Sequence, residues 1–127
     1  MSAVTEDLLA LARQAAERAF APYSKFRVGA AVRDAEGRTF IGCNVESASY
    51  GLTMCAERVA IFTAIASGAR HPLQAMAVAC LDGTAEQCLP CGACRQVMVE
   101  HLAPDAPVYV GEDVLTTRAL LPRPFRL

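Results

Sequence analysis

Apolar positions near the start of the chain recur at helical spacing. Leu8, Leu11, Ala12, Ala15, Ala16, Ala19 and Phe20 fall on one face. Thr5 is placed to cap this helix, with Glu6 and Asp7 in a first turn where the helix dipole favours acids. Pro22 is expected to end it. Residues 27–33 and 38–43 then read as two strands, with Asp34-Ala35-Glu36-Gly37 as the hairpin turn between them. A polar loop, 44–53, leads into 54–67, which is apolar on nearly all sides and reads as a buried helix closed by Gly68 and Pro72. Residues 75–81 form a short apolar run, read as a buried strand. Pro90 can sit in the first turn of a helix that runs to about Leu102. Residues 108–110 read as a short strand and 116–121 as a last short helix. Strands alternating with helices predict an α/β layered fold.

Size and composition narrow this picture. With 127 residues, the expectation is a single domain over residues 1–127. Such a globule buries roughly two-thirds of its unfolded surface without disulfide staples. Hydrophobic residues make up 54% of the chain and charged ones only 20%, which points to apolar surface covered by other subunits. The net charge is −1, and no Lys/Arg stripe is present to neutralise a phosphate backbone. This argues against a long nucleic acid partner and leaves a neutral small molecule open. Residues 1–7 lack the basic and apolar regions of a signal peptide, and no apolar run nears the ~20 residues of a membrane span. The expected address is cytoplasmic, with no membrane partner.

Six cysteines change the picture most: Cys43, Cys55, Cys80, Cys88, Cys91 and Cys94. In a reducing compartment they point to metal or catalysis, and Cys88, Cys91 and Cys94 crowd too densely for an ordinary disulfide framework. Two segments stand out, Cys55-Ala56-Glu57 and Pro90-Cys91-Gly92-Ala93-Cys94. Each opens an expected helix, where outward N–H groups and the helix dipole favour thiolates. Cys91 and Cys94, three apart, share one side of a first turn, and Cys55 can add a third sulfur. Three protein ligands leave one tetrahedral position of Zn²⁺ open for water, the pattern of a catalytic site.

Glu57 follows Cys55 by two residues. At a helix start both can lean over the axis end, so Glu57 reaches the water without ligating the metal and works in proton transfer. General acid–base catalysis of this kind contributes about 10²–10⁴-fold. Three thiolates and one Zn²⁺ sum to a charge of about −1, which weakens the metal as a Lewis acid. Arg58 is therefore expected to tune the thiolate charge through hydrogen bonds to sulfur, helped by the two helix N-termini.

The paired segments form the general signature of zinc deaminases. With Pro22-Tyr23-Ser24-Lys25-Phe26, Val28-Gly29-Ala30-Ala31, Gly42-Cys43-Asn44-Val45-Glu46, Ser49-Tyr50-Gly51-Leu52-Thr53, Cys55-Ala56-Glu57-Arg58 and Pro90-Cys91-Gly92-Ala93-Cys94-Arg95-Gln96, the chain resembles the short-chain homotetrameric cytidine deaminases from Ala21 to its end. The resemblance implies a three-layer α/β/α sandwich around a five-stranded mixed sheet. It implies one Zn²⁺ per subunit on Cys55, Cys91 and Cys94, with Glu57 as proton shuttle in the hydrolytic deamination of cytidine and 2'-deoxycytidine. It places Phe26, Asn44, Val45, Glu46, Tyr50, Ala56 and Phe125 at the substrate, with Asn44 and Glu46 on the ribose, Phe26 against the pyrimidine, and Tyr50 and Phe125 reaching across subunits of a homotetramer. An amide and a carboxylate two apart in an extended loop suit adjacent hydroxyls.

Arg27 stands where many relatives carry Pro, and Arg123-Pro124 replaces a small flexible pair before Phe125. Cys88 has no role in the pattern. Two rival readings stay open: a blasticidin-type nucleoside deaminase sharing the zinc site, and a binding module in which Cys55, Cys88, Cys91 and Cys94 close a structural zinc. Asn44-x-Glu46 favours a plain ribose over the first, and Glu57 has no task in the second. His71 and His101 lie outside the motif and read as surface or helix-end residues.

Overall fold

The structure is a computed structural model that describes residues 3–127, with the side chains of the first helix described from Asp7 onward. Five strands form one sheet: β1 (Val28–Arg33), β2 (Thr39–Cys43), β3 (Ala75–Cys80), β4 (Pro107–Val110) and β5 (Asp113–Thr116), in the order β2-β1-β3-β4-β5. β3 and β4 run parallel and the other neighbours antiparallel, so the sheet is mixed.

Strand alternation divides the core. Ala31 of β1 and Ala75, Ala77 and Ala79 of β3 face α1 (Ala3–Ala16) and its Leu8, Leu9 and Ala12. Their neighbours Ala30, Val32, Met76 and Val78 face the opposite layer. There α2 (Ala56–Ala66) contributes Ala60, Ile61 and Ala64, and α3 (Gly92–His101) contributes Cys94 and Met98. A short α4 (Thr117–Leu120) ends the element order. The result is the expected α/β/α sandwich. Small residues on the α1 side permit close approach: a Cβ on Gly29 would stand 1.9 Å from the carbonyl oxygen of Ala12.

Several boundaries differ from the sequence expectation. α1 runs from Ala3, so Thr5 lies inside it, and the side chain proposed to cap it lies outside the described residues. α1 also stops at Ala16, well before Pro22. The N–H groups of Glu17, Arg18 and Ala19 bond carbonyls three residues back. Phe20 then pairs with a distant segment, its N–H donating to Asn44 O at 3.0 Å and its carbonyl accepting from Glu46 N at 2.8 Å. Tertiary bridging overrides the helical period there and leaves Phe20 exposed.

α2 is not buried all round. Ala56, Ala60, Ile61 and Ala64 are covered, while Phe62 and Ile65 face outward. Gly68 closes it at φ +81°, a conformation glycine adopts freely. Asp113–Thr116 carries too weak a pattern to be read as a strand by itself, yet it pairs along β4.

Candidate active site

Two helix starts meet at the site. Cys55 is the N-cap of α2 and Cys91 the N-cap of α3, both with extended backbone. Cys91 Sγ accepts from Cys94 N at 3.5 Å, so the thiol itself caps the helix. Pro90 stands before this cap, not in the first turn, because the cap belongs to Cys91. Pro90 is buried, and its carbonyl accepts from Arg95 Nε at 2.8 Å, which anchors the chain just ahead of Cys91.

The sulfurs of Cys55, Cys91 and Cys94 all lie within 4.8 Å of one another. Cys55 Sγ and Cys91 Sγ are 3.8 Å apart. Tetrahedral zinc with Zn–S bonds of ~2.3 Å sets its sulfurs about 3.8 Å apart, so the donor set fits Zn²⁺ in number, chemistry and spacing. Arg58 Nη2 donates to Cys55 Sγ at 3.5 Å, while its buried Nε has no partner among the described residues. Hydrogen bonding from Cys94 and then Arg58 brings the Cys55 thiol down to about 5 against the opposing effect of burial. Cys94 is pushed far above the ordinary thiol range, by its hydrogen bond to Cys55 and by burial. Metal binding takes such protons off.

Glu57 is 4% exposed. Burial raises its carboxyl to about 7, and the neighbouring Cys55 charge adds to the effect. A carboxyl poised there can both take and give a proton near neutrality. It borders a cleft of about 280 Å³ that also exposes Cys55, Ala56 and Cys91. That volume is at the low end of small-molecule sites.

Phe26, Asn44, Glu46 and Tyr50 reach the same cleft. Asn44 Oδ1 accepts from Val28 N at 2.9 Å and its Nδ2 donates to Phe26 O at 2.8 Å. Glu46 Oε1 accepts from the N–H groups of Tyr23 and Ser24 at 3.0 and 3.1 Å, and its Oε2 accepts from the Ser24 hydroxyl. The Ser24 hydroxyl holds the Glu46 carboxyl below its usual range. Both side chains are thus locked to the loop that carries Phe26. The alternation of an extended segment sends Val45 the other way. Val45 is 44% exposed and lies outside the cleft, its backbone paired with Met54. Phe125 also stands outside the cleft, 69% exposed, with its backbone N and O bonded to the Gln96 amide. Arg58 lies behind the thiols and does not line the cleft.

Sequence reasoning missed Ser24, Thr53, Met54 and Gln87 as lining residues. Ser24 sits in a quoted motif, but Gln87 carries no sequence signal. It also missed a disulfide: Cys80 and Cys88 are bonded, with Cα atoms 5.8 Å apart. A short turn, 86–88, folds Cys88 back onto the end of β3, a contact that spacing cannot reveal. This removes Cys88 from any four-cysteine zinc site. The two histidines lie away from the cleft, His71 Nε2 being 3.2 Å from His101 Nδ1 at the end of α3.

Known proteins are similar to this chain over most of its length. The chain is 46% identical over 123 residues to a cytidine deaminase of Halalkalibacterium halodurans, covering 93% of this chain and 91% of that protein. The crystal structure of a cytidine deaminase from Burkholderia pseudomallei superposes with a TM-score of 0.86 at 44% identity, over 98% of this chain and 100% of that one. That of Mycobacterium tuberculosis gives 0.85 at 37% identity, over 97% and 98%. Residues 2–110 match the family model of the cytidine and deoxycytidylate deaminase zinc-binding region. With its three-thiol cluster, its buried acid and this match over most of its length, the chain belongs to the zinc-binding cytidine and deoxycytidylate deaminase family.

Proposed function

We propose that the protein hydrolyses the exocyclic amine of cytidine and 2'-deoxycytidine, releasing ammonia and the corresponding uridine. The observation that carries this reading is a buried carboxyl, Glu57, held near neutrality where the cleft meets the sulfurs of Cys55 and Cys91. Cys55, Cys91 and Cys94 would hold the Zn²⁺, which would supply Lewis-acid activation of the hydrolytic water. Glu57 takes a proton from that water and passes it to N3 of the pyrimidine. It then takes the remaining proton from the hydroxyl added at C4 and gives it to the departing amine, so one carboxyl serves as base and acid in turn. Arg58 stabilises the thiolates from behind. Phe26 packs against the base. Asn44 keeps one amide N–H and Glu46 one carboxylate edge for the ribose hydroxyls, each already oriented by backbone bonds.

We read residues 1–127 as one domain, since both core clusters share a single sheet. A homotetramer is supported by exposed Tyr50, Leu52, Phe62 and Phe125, which a neighbouring subunit would cover. In that assembly Phe125 and Tyr50 reach adjacent sites. A cytoplasmic address suits a centre that needs three free thiols. Among the described residues no helix is long and apolar enough to cross a membrane.

The test is the ultraviolet absorbance of cytidine incubated with zinc-loaded protein, beside Glu57→Gln. Conversion to the uridine spectrum that is lost in the variant supports the reading. Full activity in Glu57→Gln refutes the proton shuttle. An inactive wild type carrying one zinc per chain refutes cytidine as substrate and directs the assay to blasticidin-type nucleosides.

A further inference from the structure

Cys80 and Cys88 occupy a position that the deamination chemistry does not use. Both line the 280 Å³ cleft beside Glu57 and Cys91. Both also line a second cavity of about 140 Å³, bordered by Leu9, Arg13, Ala79 and Val110. They are the two residues common to both spaces, so their bridge is the partition between them. Cys80 ends β3 and is held by the sheet. Cys88 ends the turn that leads, through Leu89 and Pro90, to Cys91. The bridge therefore pins the loop 81–90 three residues ahead of a metal-binding thiol. The same loop supports Phe26: a Cβ on Gly83 would stand 2.7 Å from the Phe26 ring.

We propose that Cys80 and Cys88 form a reversible thiol–disulfide site in the wall of the nucleoside pocket, at which oxidation by a low-molecular-weight disulfide orders the pocket and reduction loosens it. This rests on the reading of the cleft as the nucleoside site. The Cα separation of 5.8 Å is ordinary for a disulfide, so the bridge fits the place where β3 holds Cys80. Cys55 and Cys91 of the metal cluster stay free in the same pocket. In a reducing compartment an isolated disulfide of this kind is characteristically transient or redox-sensing. The exchange balances with glutathione disulfide as oxidant. One protein thiolate attacks a glutathione sulfur, breaking that S–S bond and releasing one glutathione thiol. The second protein thiolate attacks the mixed disulfide, forming Cys80–Cys88 and releasing the second glutathione. Two electrons pass from protein to glutathione, and the two thiol protons end on the released glutathiones.

The test uses the zinc-loaded full chain, treated either with glutathione disulfide or with a phosphine reductant and then freed of reagent. Thiol alkylation with peptide mass mapping reads the bridge. Metal content and cytidine kinetics are read on the same samples, and reduction of the bridge is timed with and without uridine. The oxidised form is expected to carry Cys80–Cys88 with its zinc retained. KM should be about tenfold lower than in the reduced form, equivalent to ~1.4 kcal/mol, with kcat little changed. Uridine in the cleft should slow reduction, and Cys80→Ala should abolish the redox response. An active enzyme whose Cys80 and Cys88 stay free under oxidation, whose zinc is lost on oxidation, or whose KM is the same in both states overturns the redox site alone. A bridge that forms normally without turnover in either state and without a uridine effect overturns the nucleoside reading, and the pocket-wall assignment with it.

Discussion

Gly42 offers the sharpest test of how the fold positions the chemistry. It lies in β2, directly beneath the first turns of α2. A Cβ there would stand 2.3 Å from Ala60 N and 2.8 Å from both Ala56 O and Ala60 Cα. All three are backbone atoms, so no side chain can swing aside. Restoring ordinary contact at 3.4 Å demands that helix and strand separate by about 1 Å. α2 is capped by Cys55 and carries Glu57 in its first turn, so this displacement falls on a metal-binding thiol and on the proton-transferring acid. A 1 Å misplacement of a catalytic group can cost about 10²-fold in rate, and overpacking destabilises by ~1–3 kcal/mol. For Gly42→Ala we therefore expect a folded protein with a lowered melting temperature and a kcat reduced about a hundredfold. Cytidine absorbance gives the rate, circular dichroism the melt, and metal analysis the zinc content. Activity and melting within twofold and one degree or so of wild type would refute the account of α2 seated on Gly42.

Further substitutions probe separate links. Arg58→Ala should lower zinc affinity or turnover by about 10–100-fold, the usual effect of losing an outer partner of a metal ligand; unchanged zinc content together with unchanged turnover would dismiss the charge-tuning role. Asp34 is buried in the β1–β2 turn, where its carboxylate accepts from the N–H groups of Glu36, Arg38 and Arg70 and from Arg38 Nε. Burial alone would raise its pKa, but these donors and the Arg38 charge outweigh it and bring it to about 2. A depressed carboxyl stabilises the fold above its unfolded pKa and loses that contribution as pH falls through the folded one. Asp34→Asn should thus melt lower than wild type at neutral pH, and the gap should narrow as pH falls from 3.8 towards 2; a gap independent of pH would contradict it. Leu8, fully buried between α1 and the sheet, lies in the layer away from the cleft. Leu8→Ala should cost ~2–5 kcal/mol in denaturant unfolding while KM for cytidine stays put.

Much of the chemistry was legible in the linear chain because it depends on residue type and short spacing. Cys55-x-Glu57 and Cys91-x-x-Cys94 each sit at a helix start, and a helix start delivers its first-turn groups to one place whatever surrounds it. The hairpin at 34–37 was equally local, since Asp34 and Gly37 suffice to turn the chain. Non-local pairing decided the rest. Phe20 left its helical period because the segment 44–46 offered it two backbone hydrogen bonds. β5 has little apolar pattern and exists because β4 presents an unpaired edge. Val45 was assigned to the substrate by resemblance, and in this chain its side chain stands outside the cleft. The Cys80–Cys88 bridge is the plainest case. Six similar thiols are interchangeable in a sequence, and only the folding of 81–90 against the end of β3 selects which two meet. Periodicity and motif spacing act over one or two turns of chain, so the sequence determined the helix starts and their ligands. Which distant surfaces come into contact depends on the packing of the whole sheet, and that only the tertiary structure decided.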